Sequence, residues 1–352
     1  MPDPDRRKRS TLGMVASDSG VSLPTVSKVL NGRADVAPET RARVEAVLRR
    51  HQYVPQAARR TGAPESVIDL VFDDFVSPYS TEILHGVTDA GAEVGIGVVV
   101  GRFPTPAAGP LAPEDAWARR LIESRREGLI VVTSELTPAQ LAAFDRVGLK
   151  LVVIDPVNLP RADVVSIGAT NWSGGLSATR HLVELGHRRI AFIGGPVTAS
   201  CSQARFHGYR AALENVAVAP DPDLIVHGDF NFDAGLQWGT HLLDLPEPPT
   251  AIFAASDPMA VGVLAAARLR NVPVPQELSV VGFDDSFLTQ WSTPGLTTVR
   301  QPLRDMGRVA LRTVLRLIAG EPLDSHHVEL ATSLVIREST GPISREGRGS
   351  RL

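Results

Sequence analysis

At 352 residues, 43% hydrophobic and 21% charged, the chain has ordinary globular composition and room for two or three domains with their own cores. One cysteine, Cys201, excludes a disulfide framework and a cysteine-based metal site and fits a reducing cytoplasm; no apolar run approaches the roughly 18 residues that span a bilayer. The net charge of −3 hides an asymmetry: residues 1–60 carry 12 Lys/Arg against 6 Asp/Glu, a basic head on an acidic body that suits a polyanion-binding module or a solvated basic tail.

Residues 1–10 read as a disordered basic arm, with no apolar segment of the kind an export signal needs. A first helix starts near Thr11, which can cap it; Leu12, Val15 and Ala16 form its apolar stripe, and Gly20 closes it. Ser22 caps a second helix, with Pro24 in the first turn, where a missing N–H costs nothing. Val26, Val29 and Leu30 are its buried stripe, while Leu23, Pro24, Thr25, Ser27 and Lys28 point elsewhere. A third helix runs from Pro38 to about His51, with Val44, Val47 and Leu48 inward and Arg41, Arg43, Arg49 and Arg50 outward. Two short helices about a glycine turn, closed by a third, follow the helix-turn-helix plan, whose second helix enters the major groove. A generic three-helix bundle shares the amphipathic pattern; the small turn residues and the cation-bearing outer face of the second helix favour DNA.

The run from Val15 to Pro55 resembles, almost residue for residue, the DNA-binding domain of the LacI/GalR family of transcriptional repressors. The matching positions are Val15-Ala16, Gly20-Val21-Ser22, Thr25-Val26-Ser27, Val29-Leu30-Asn31, Val36, Thr40-Arg41, Val44 and Tyr53-Val54-Pro55. The resemblance implies a DNA-binding domain over residues 11–57 with Leu23, Pro24 and Lys28 at base-reading positions. Lys28 can donate to guanine O6/N7, and the other two offer only apolar contact. Ser22, Thr25, Ser27, Asn31 and Thr40 resemble the family's phosphate-binding residues, which position without reading sequence. Thr11, Tyr53 and Gln56 complete the expected DNA-facing set.

Residues 58–65 form a linker. In the family this region becomes a short hinge helix on DNA and wedges a leucine into the minor groove. Here Arg59-Arg60 is followed by Thr61, Gly62, Ala63 and Pro64, poor helix formers without the leucine. Arg59 and Arg60 are expected to contact the minor groove or phosphates electrostatically, with little kinking.

From Ser66 on, buried apolar runs alternate with helical stretches. Strands are expected at 67–72, 96–100, 128–132, 149–154, 164–167, 190–193, 250–254 and 278–282, and helices at 81–93, 113–126, 138–147, 172–185, 203–216, 233–243 and 258–269. This pattern means parallel sheets with crossovers, and the strands are too many for one convenient sheet. The expected fold class is multi-domain: an all-α helix-turn-helix head, then an α/β core of two doubly wound parallel-sheet subdomains, similar to periplasmic binding proteins. The family resemblance continues, more loosely, through the segments at 72–87, 168–196, 253–285 and 296–307. It implies an effector-binding domain over 66–341, with one subdomain at about 66–185 and 302–327 and the other at about 188–298 and 328–341. The implied crossings lie near Gly186-His187, Thr298–Pro302 and Ser325–Leu330. Residues 342–352 read as a disordered tail.

Ligands of doubly wound domains sit beyond the C-terminal strand ends. The side chains arriving there are Asp73, Asp74, Ser77, Tyr79, Asp155, Thr170, Asn171, Trp172, Arg205, Phe230, Ser256, Asp257, Asp284, Asp285 and Gln301. Carboxylates, amides and a guanidinium suit paired hydrogen bonds to ring hydroxyls, and aromatic faces stack on a sugar. By resemblance Arg205 and Asp284 lead, followed by Phe230 as a wall, Ser256, Gln301 and Ser77; Asp74, Tyr79, Asn171 and Trp172 complete the candidate set. The family often has Asp where Thr170 stands and Asn where Ser256 stands, which leaves the sugar open and a purine possible. Structural alternatives are helix capping by Asp257 and Asp285, a core role for Trp172 and a cross-cleft salt bridge between Arg205 and Asp284. His85, His181, His187 and His207 lack metal-ligand spacing, and no P-loop, G-x-S-x-G or H-E-x-x-H occurs; Gly95-Ile96-Gly97 is only a fragment of a dinucleotide fingerprint. No metal, cofactor or catalysis is expected.

The resemblance implies a cytoplasmic transcriptional regulator, a repressor of a carbohydrate-utilisation operon, acting as a homodimer on a near-palindromic DNA operator and released by a small sugar-like effector between the subdomains. Inducer and corepressor both remain open, and no membrane partner is expected. A soluble sugar receptor without a DNA role, or an enzyme on the same fold, are the competing readings; the basic head opposes the first, and the second rests on fold analogy alone. The polar segment Gly341–Leu352 has no leucine heptad, so a dimer is expected rather than a tetramer.

Overall fold

The computed structural model describes residues 12–30, 33, 36–51, 67–73, 77–103, 114–158 and 161–343. They fall into two compact units, residues 1–65 and 66–352.

In the first unit, α1 (Leu12–Ser19), α2 (Leu23–Leu30) and α3 (Pro38–Arg50) enclose a core of Val15, Ala16, Val26, Val29, Val44 and Val47, with Val21, Val36 and Leu48 packed against it. The i, i+3 and i+4 spacing puts these residues on one stripe per helix. Gly20 ends α1 in the left-handed region (φ 66°), where glycine has no Cβ penalty. The Val21 N–H then reaches back to the Ala16 carbonyl (3.2 Å), so the turn satisfies a carbonyl the helix end would leave unpaired.

The second unit runs, in chain order, through β1 (Val67–Phe72), α4 (Pro78–Val94), β2 (Gly97–Arg102), α5 (Glu114–Glu123), β3 (Arg126–Val132), α6 (Pro138–Val147), β4 (Lys150–Ile154), β5 (Val165–Ala169) and α7 (Asn171–Glu184). It continues with β6 (Ile190–Gly194), α8 (Ser200–Glu214), β7 (Ile225–His227), α9 (Phe232–Leu243), β8 (Ala251–Ala254), α10 (Asp257–Leu269), β9 (Ser279–Asp284), α11 (Leu288–Trp291), β10 (Thr297–Arg300), α12 (Leu303–Ile318), β11 (His327–Leu330) and β12 (Ser333–Val335). Two six-stranded sheets result, with orders β11-β5-β4-β3-β1-β2 and β12-β10-β9-β8-β6-β7. Every pairing is parallel except that of β10 with β12. Central strands are buried on both faces, as crossover helices require: α4 and α12 cover one face of the first sheet with Ile83, Val87, Met306, Leu311 and Val314, and Leu141 and Phe144 of α6 lie on the other.

Three expectations need correction. α7 packs against α8, β10 and β12, so the first crossing comes at Thr170, between β5 and α7, rather than near Gly186-His187. β11 pairs with β5 over its whole length, so the last crossing follows Leu330, and residues 328–330 belong with the first sheet. The helix expected at 113–126 ends at Glu123, because Arg125 turns left-handed (φ 58°) and Arg126 already opens β3.

The crossings are tied locally. The Thr332 backbone N–H donates to Thr170 Oγ1 (3.0 Å), joining the first and third. At the second, Gln301 Nε2 donates to Asp284 Oδ1 (2.7 Å).

Candidate ligand cleft and nucleic-acid interface

A cavity of about 380 Å³ opens at the C-terminal strand ends of both sheets. Asp73, Ser77, Tyr79, Ser80, Thr133, Asp155 and Val157 line it from the first sheet. Pro196, Ala199, Cys201, Arg205, Asp229, Phe230, Asn231, Ser256, Pro258 and Asp284 line it from the second. Across the mouth, Ser200 Oγ donates to the Val157 carbonyl (3.0 Å).

Arg205 is 3% exposed. Its Nε donates to Asn171 Oδ1 (2.8 Å) and one Nη to the Ala255 carbonyl (2.6 Å), and the guanidinium lies 3.8 Å over the Phe283 ring. Its place is fixed by helix packing. A Cβ on Gly175 of α7 would stand 2.2 Å from the Arg205 carbonyl oxygen, and one on Gly208 of α8 would stand 2.2 Å from that of Trp172. Only glycines allow α7 and α8 this approach, and they set the height at which Arg205 meets the cavity. Phe230 lies against Gly195 in the same way, with 2.1 Å from its ring to an added Cβ.

Asp155 and Asp284 are buried and Asp73 half-buried, and none is neutralised by contact with a cation. Tyr79 Oη donates to Asp155 Oδ2 (2.7 Å), and Ser134 Oγ donates to Asp73 Oδ1 (2.7 Å). Among the described residues no ion pair joins Asp73, Asp155 or Asp284 to any cation within 4.0 Å, so the salt bridge between Arg205 and Asp284 considered from sequence is not formed. Burial raises the carboxyl pKa of Asp155 and of Asp73, and pushes Asp284 up to about 6 against the pull of Arg205. Burial, reinforced by Asp155, raises the Tyr79 hydroxyl well above its ordinary value. Such unbalanced groups in a concavity mark a functional site.

Of the expected ligand residues, Ser77, Tyr79, Arg205, Phe230, Ser256 and Asp284 line the cavity, and Asp74 lies outside the described residues. Three do not line it. Asn171 stands behind Arg205 as its acceptor, Gln301 stands behind Asp284 as its donor, and Trp172 is 46% exposed at the start of α7 rather than in the core. Ser77 and Ser256 also cap α4 and α10. Asp257 is fully buried and accepts from Ser286 and Thr298, and Asp285 pairs with Arg300 and Arg337, so neither reduces to a helix cap. Asp73 and Asp155 belong to the strand-end set but were not chosen from sequence; Cys201, Asp229 and Asn231 were missed, although each follows a strand of the second sheet.

In the head, the carbonyl of Ser22 accepts from the Thr25 and Val26 N–H groups (2.9 and 3.1 Å), opening α2. Ser22, Leu23 (50%), Pro24 and Lys28 are exposed along α2, Thr25 and Ser27 are half-buried, and Thr40 is half-buried in the first turn of α3. Thr11, Asn31, Tyr53, Gln56, Arg59 and Arg60 lie outside the described residues.

Residues 11–56 match the bacterial regulatory proteins of the lacI family, and residues 179–340 match the periplasmic binding protein-like domain. The repressor CytR of Escherichia coli (strain K12) is 33% identical over 333 residues, 94% of this chain and 96% of its own length. The regulator CelR of Thermobifida fusca is 34% identical over 344 residues, 95% and 99% of the two chains. The chain belongs to the LacI family. Two solved structures of LacI-family proteins share its architecture. A CelR–cellobiose complex has a TM-score of 0.71 at 32% identity, covering 94% of this chain and 100% of that one. The lac repressor dimer bound to operator and the anti-inducer ONPF has a TM-score of 0.76 at 27% identity, covering 95% and 100%. This LacI-family chain is therefore a DNA-binding transcriptional regulator, and its relatives are named as regulators rather than enzymes or transport receptors. No helix among the described residues is long and apolar enough to cross a membrane.

Proposed function

We propose that this regulator represses a carbohydrate-utilisation operon in the cytoplasm and responds to a small sugar-like effector held in the cleft. One observation carries the reading. Asp155 from the first sheet and Asp284 and Arg205 from the second face a cavity with no salt bridge between them, beside the aromatic wall of Phe230. A ring hydroxyl can accept from a guanidinium and donate to a carboxylate at once, so a polyol satisfies all three where a simple apolar ligand satisfies none. Ser77, Tyr79 and Ser256 add hydroxyl partners. Because the ligand touches both sheets, it binds one degree of subdomain closure better than others, which is what an effector must do to shift an equilibrium.

In the head, Lys28 with Leu23 and Pro24 reads bases, and Ser22, Thr25, Ser27 and Thr40 bind phosphates, with Thr11, Asn31, Tyr53, Gln56, Arg59 and Arg60 contributing from the flanking segments. One such head reads few base pairs, so a homodimer on a near-palindromic operator supplies the rest of the site. The CelR–cellobiose complex and the operator-bound lac repressor dimer support both halves of this proposal. The test is a gel-shift titration with the promoter DNA upstream of the regulator's own operon against a panel of pentoses, hexoses, disaccharides and nucleosides. One compound should release or strengthen the complex; operator binding indifferent to every compound would refute the effector reading.

A further inference from the structure

We infer that the cleft selects against anions, so the effector carries no phosphate or carboxylate group; this rests on the proposal that the cleft holds a sugar-like effector. The lining side chains carry four carboxylates, Asp73, Asp155, Asp229 and Asp284, and one cation, Arg205. Arg205 is not free to turn toward a phosphate. Its Nε is held by Asn171, one Nη by the Ala255 carbonyl, and its plane is laid on Phe283. A bidentate clamp through Nε, the geometry that suits phosphate, would require breaking that arrangement. Arg102 donates through Nε to the Asp73 carbonyl but lies outside the lining.

Helix N-termini are the fold's other anion-binding device, and four helices begin at this cavity. At three of them a side chain takes up one backbone N–H: Ser77 at α4, Asn231 at α9 and Ser256 at α10, which also carries Asp257 in its first turn. At the fourth, α8, the Ser200 N–H is turned to the Val157 carbonyl (3.3 Å). A phosphate would therefore bring its charge among the carboxylates of buried Asp155 and Asp284 and half-buried Asp73, whose protons burial already holds more tightly, while the one lining cation is already engaged. Hydroxyl groups gain from the same acceptors. A reaction that phosphorylates an effector of this class removes the signal.

The chain supplies its own reporter. Cys201 is the one cysteine and lines the cavity, half-buried. The full-length protein is treated with methanethiosulfonate reagents of similar size bearing either a trimethylammonium or a sulfonate group, with rates normalised to free cysteine. The cationic reagent should react at least about tenfold faster, and Asp155→Asn with Asp284→Asn should bring the ratio toward one. Equal rates, or a faster sulfonate, overturn the inference. In the second arm, unphosphorylated sugars and nucleosides are each paired with their monophosphates, and thermal stabilisation and operator release are read. The parent that acts should outbind its monophosphate by at least about 100-fold; a monophosphate that binds as well as its parent overturns the inference. Cation-selective labelling with no response to any sugar leaves the charge rule standing and removes the carbohydrate reading instead.

Discussion

Asp284→Asn should make the folded chain more stable at neutral pH while weakening its effector. Asp284 is 5% exposed, and burial pushes its carboxyl up to about 6 from 3.8. The folded state thus holds this proton more tightly than the unfolded state, so the group's stability contribution is greatest below 3.8 and falls as pH rises through about 6. That gap corresponds to about 3 kcal/mol, which asparagine, unable to ionise, does not lose. That value is already net of Arg205, the Gln301 amide and the Asp257 backbone N–H, all of which favour the carboxylate; against the gain stands the cost of burying the new amide N–H groups among partners arranged for a carboxylate. Asp257 works in the variant's favour, because burial and the Asp284 charge both raise its pKa. We expect a net gain of about 1–2 kcal/mol at pH 7.5, a rise of about 2–4 °C per kcal/mol in Tm, shrinking to a fraction at pH 4.5. Effector affinity should fall about 10- to 100-fold, the worth of a hydrogen bond to a charged acceptor. Thermal melts of the full chain at both pH values, with and without effector, measure all of this. A variant destabilised equally at both pH values would refute the electrostatic account.

Three further outcomes are expected. Lys28→Ala should weaken operator binding by about 1–3 kcal/mol, concentrated at one base pair in a competition series; a neutral result would misplace the reading face. Gly175→Ala puts a Cβ 2.2 Å from the Arg205 carbonyl, so α7 and α8 must part. Calorimetry should show weaker effector binding at about 1–3 kcal/mol of lost stability with operator affinity kept, and unchanged effector affinity would contradict the packing argument. Trp291 is 76% exposed and its ring lies 4.8 Å from that of exposed Phe287, tilted by 52°, so burial of this pair in an association surface would be favourable. Trp291→Ser should shift sedimentation toward monomer, and an unaltered dimer would place the interface elsewhere.

The elements were largely legible in the sequence because their signals are local. β1 and α6 run as their apolar periods predict, and the head's valine stripes become its core. α12 was equally legible, with Leu303, Met306, Ala310, Leu311 and Val314 on one face, yet it is missing from the expected helices. β7 and β12, at three residues each, are too short to show a period. The position of α7 was not legible, because an apolar stripe does not say which sheet it covers; that depends on Gly175 and Gly208 meeting across 33 residues of chain. The same holds within the cleft. Strand ends located Asn171 and Gln301, but only the fold shows that each spends its amide on a neighbour, leaving Arg205 and Asp284 to face the cavity.

That division of labour bears on how the cleft can signal. Arg205 is fixed to the second sheet by Asn171, Ala255 and Phe283, and Asp155 to the first by Tyr79. Thr133, Asp155 and Asp284 hold φ of 49°, 43° and 124° at the ends of β3, β4 and β9, positions that cost about 1–3 kcal/mol each and persist only where the surroundings impose them. The facing groups are therefore rigid within their own sheets. A ligand that bridges them acts on the angle between the sheets, because the segments at Thr170, Gln301 and Thr332 are the covalent links between the two halves and the sheets themselves resist deformation. The soft coordinate is closure about those three crossings, and the unpaired charges of Asp155, Asp284 and Arg205 make closure depend on what fills the space between them.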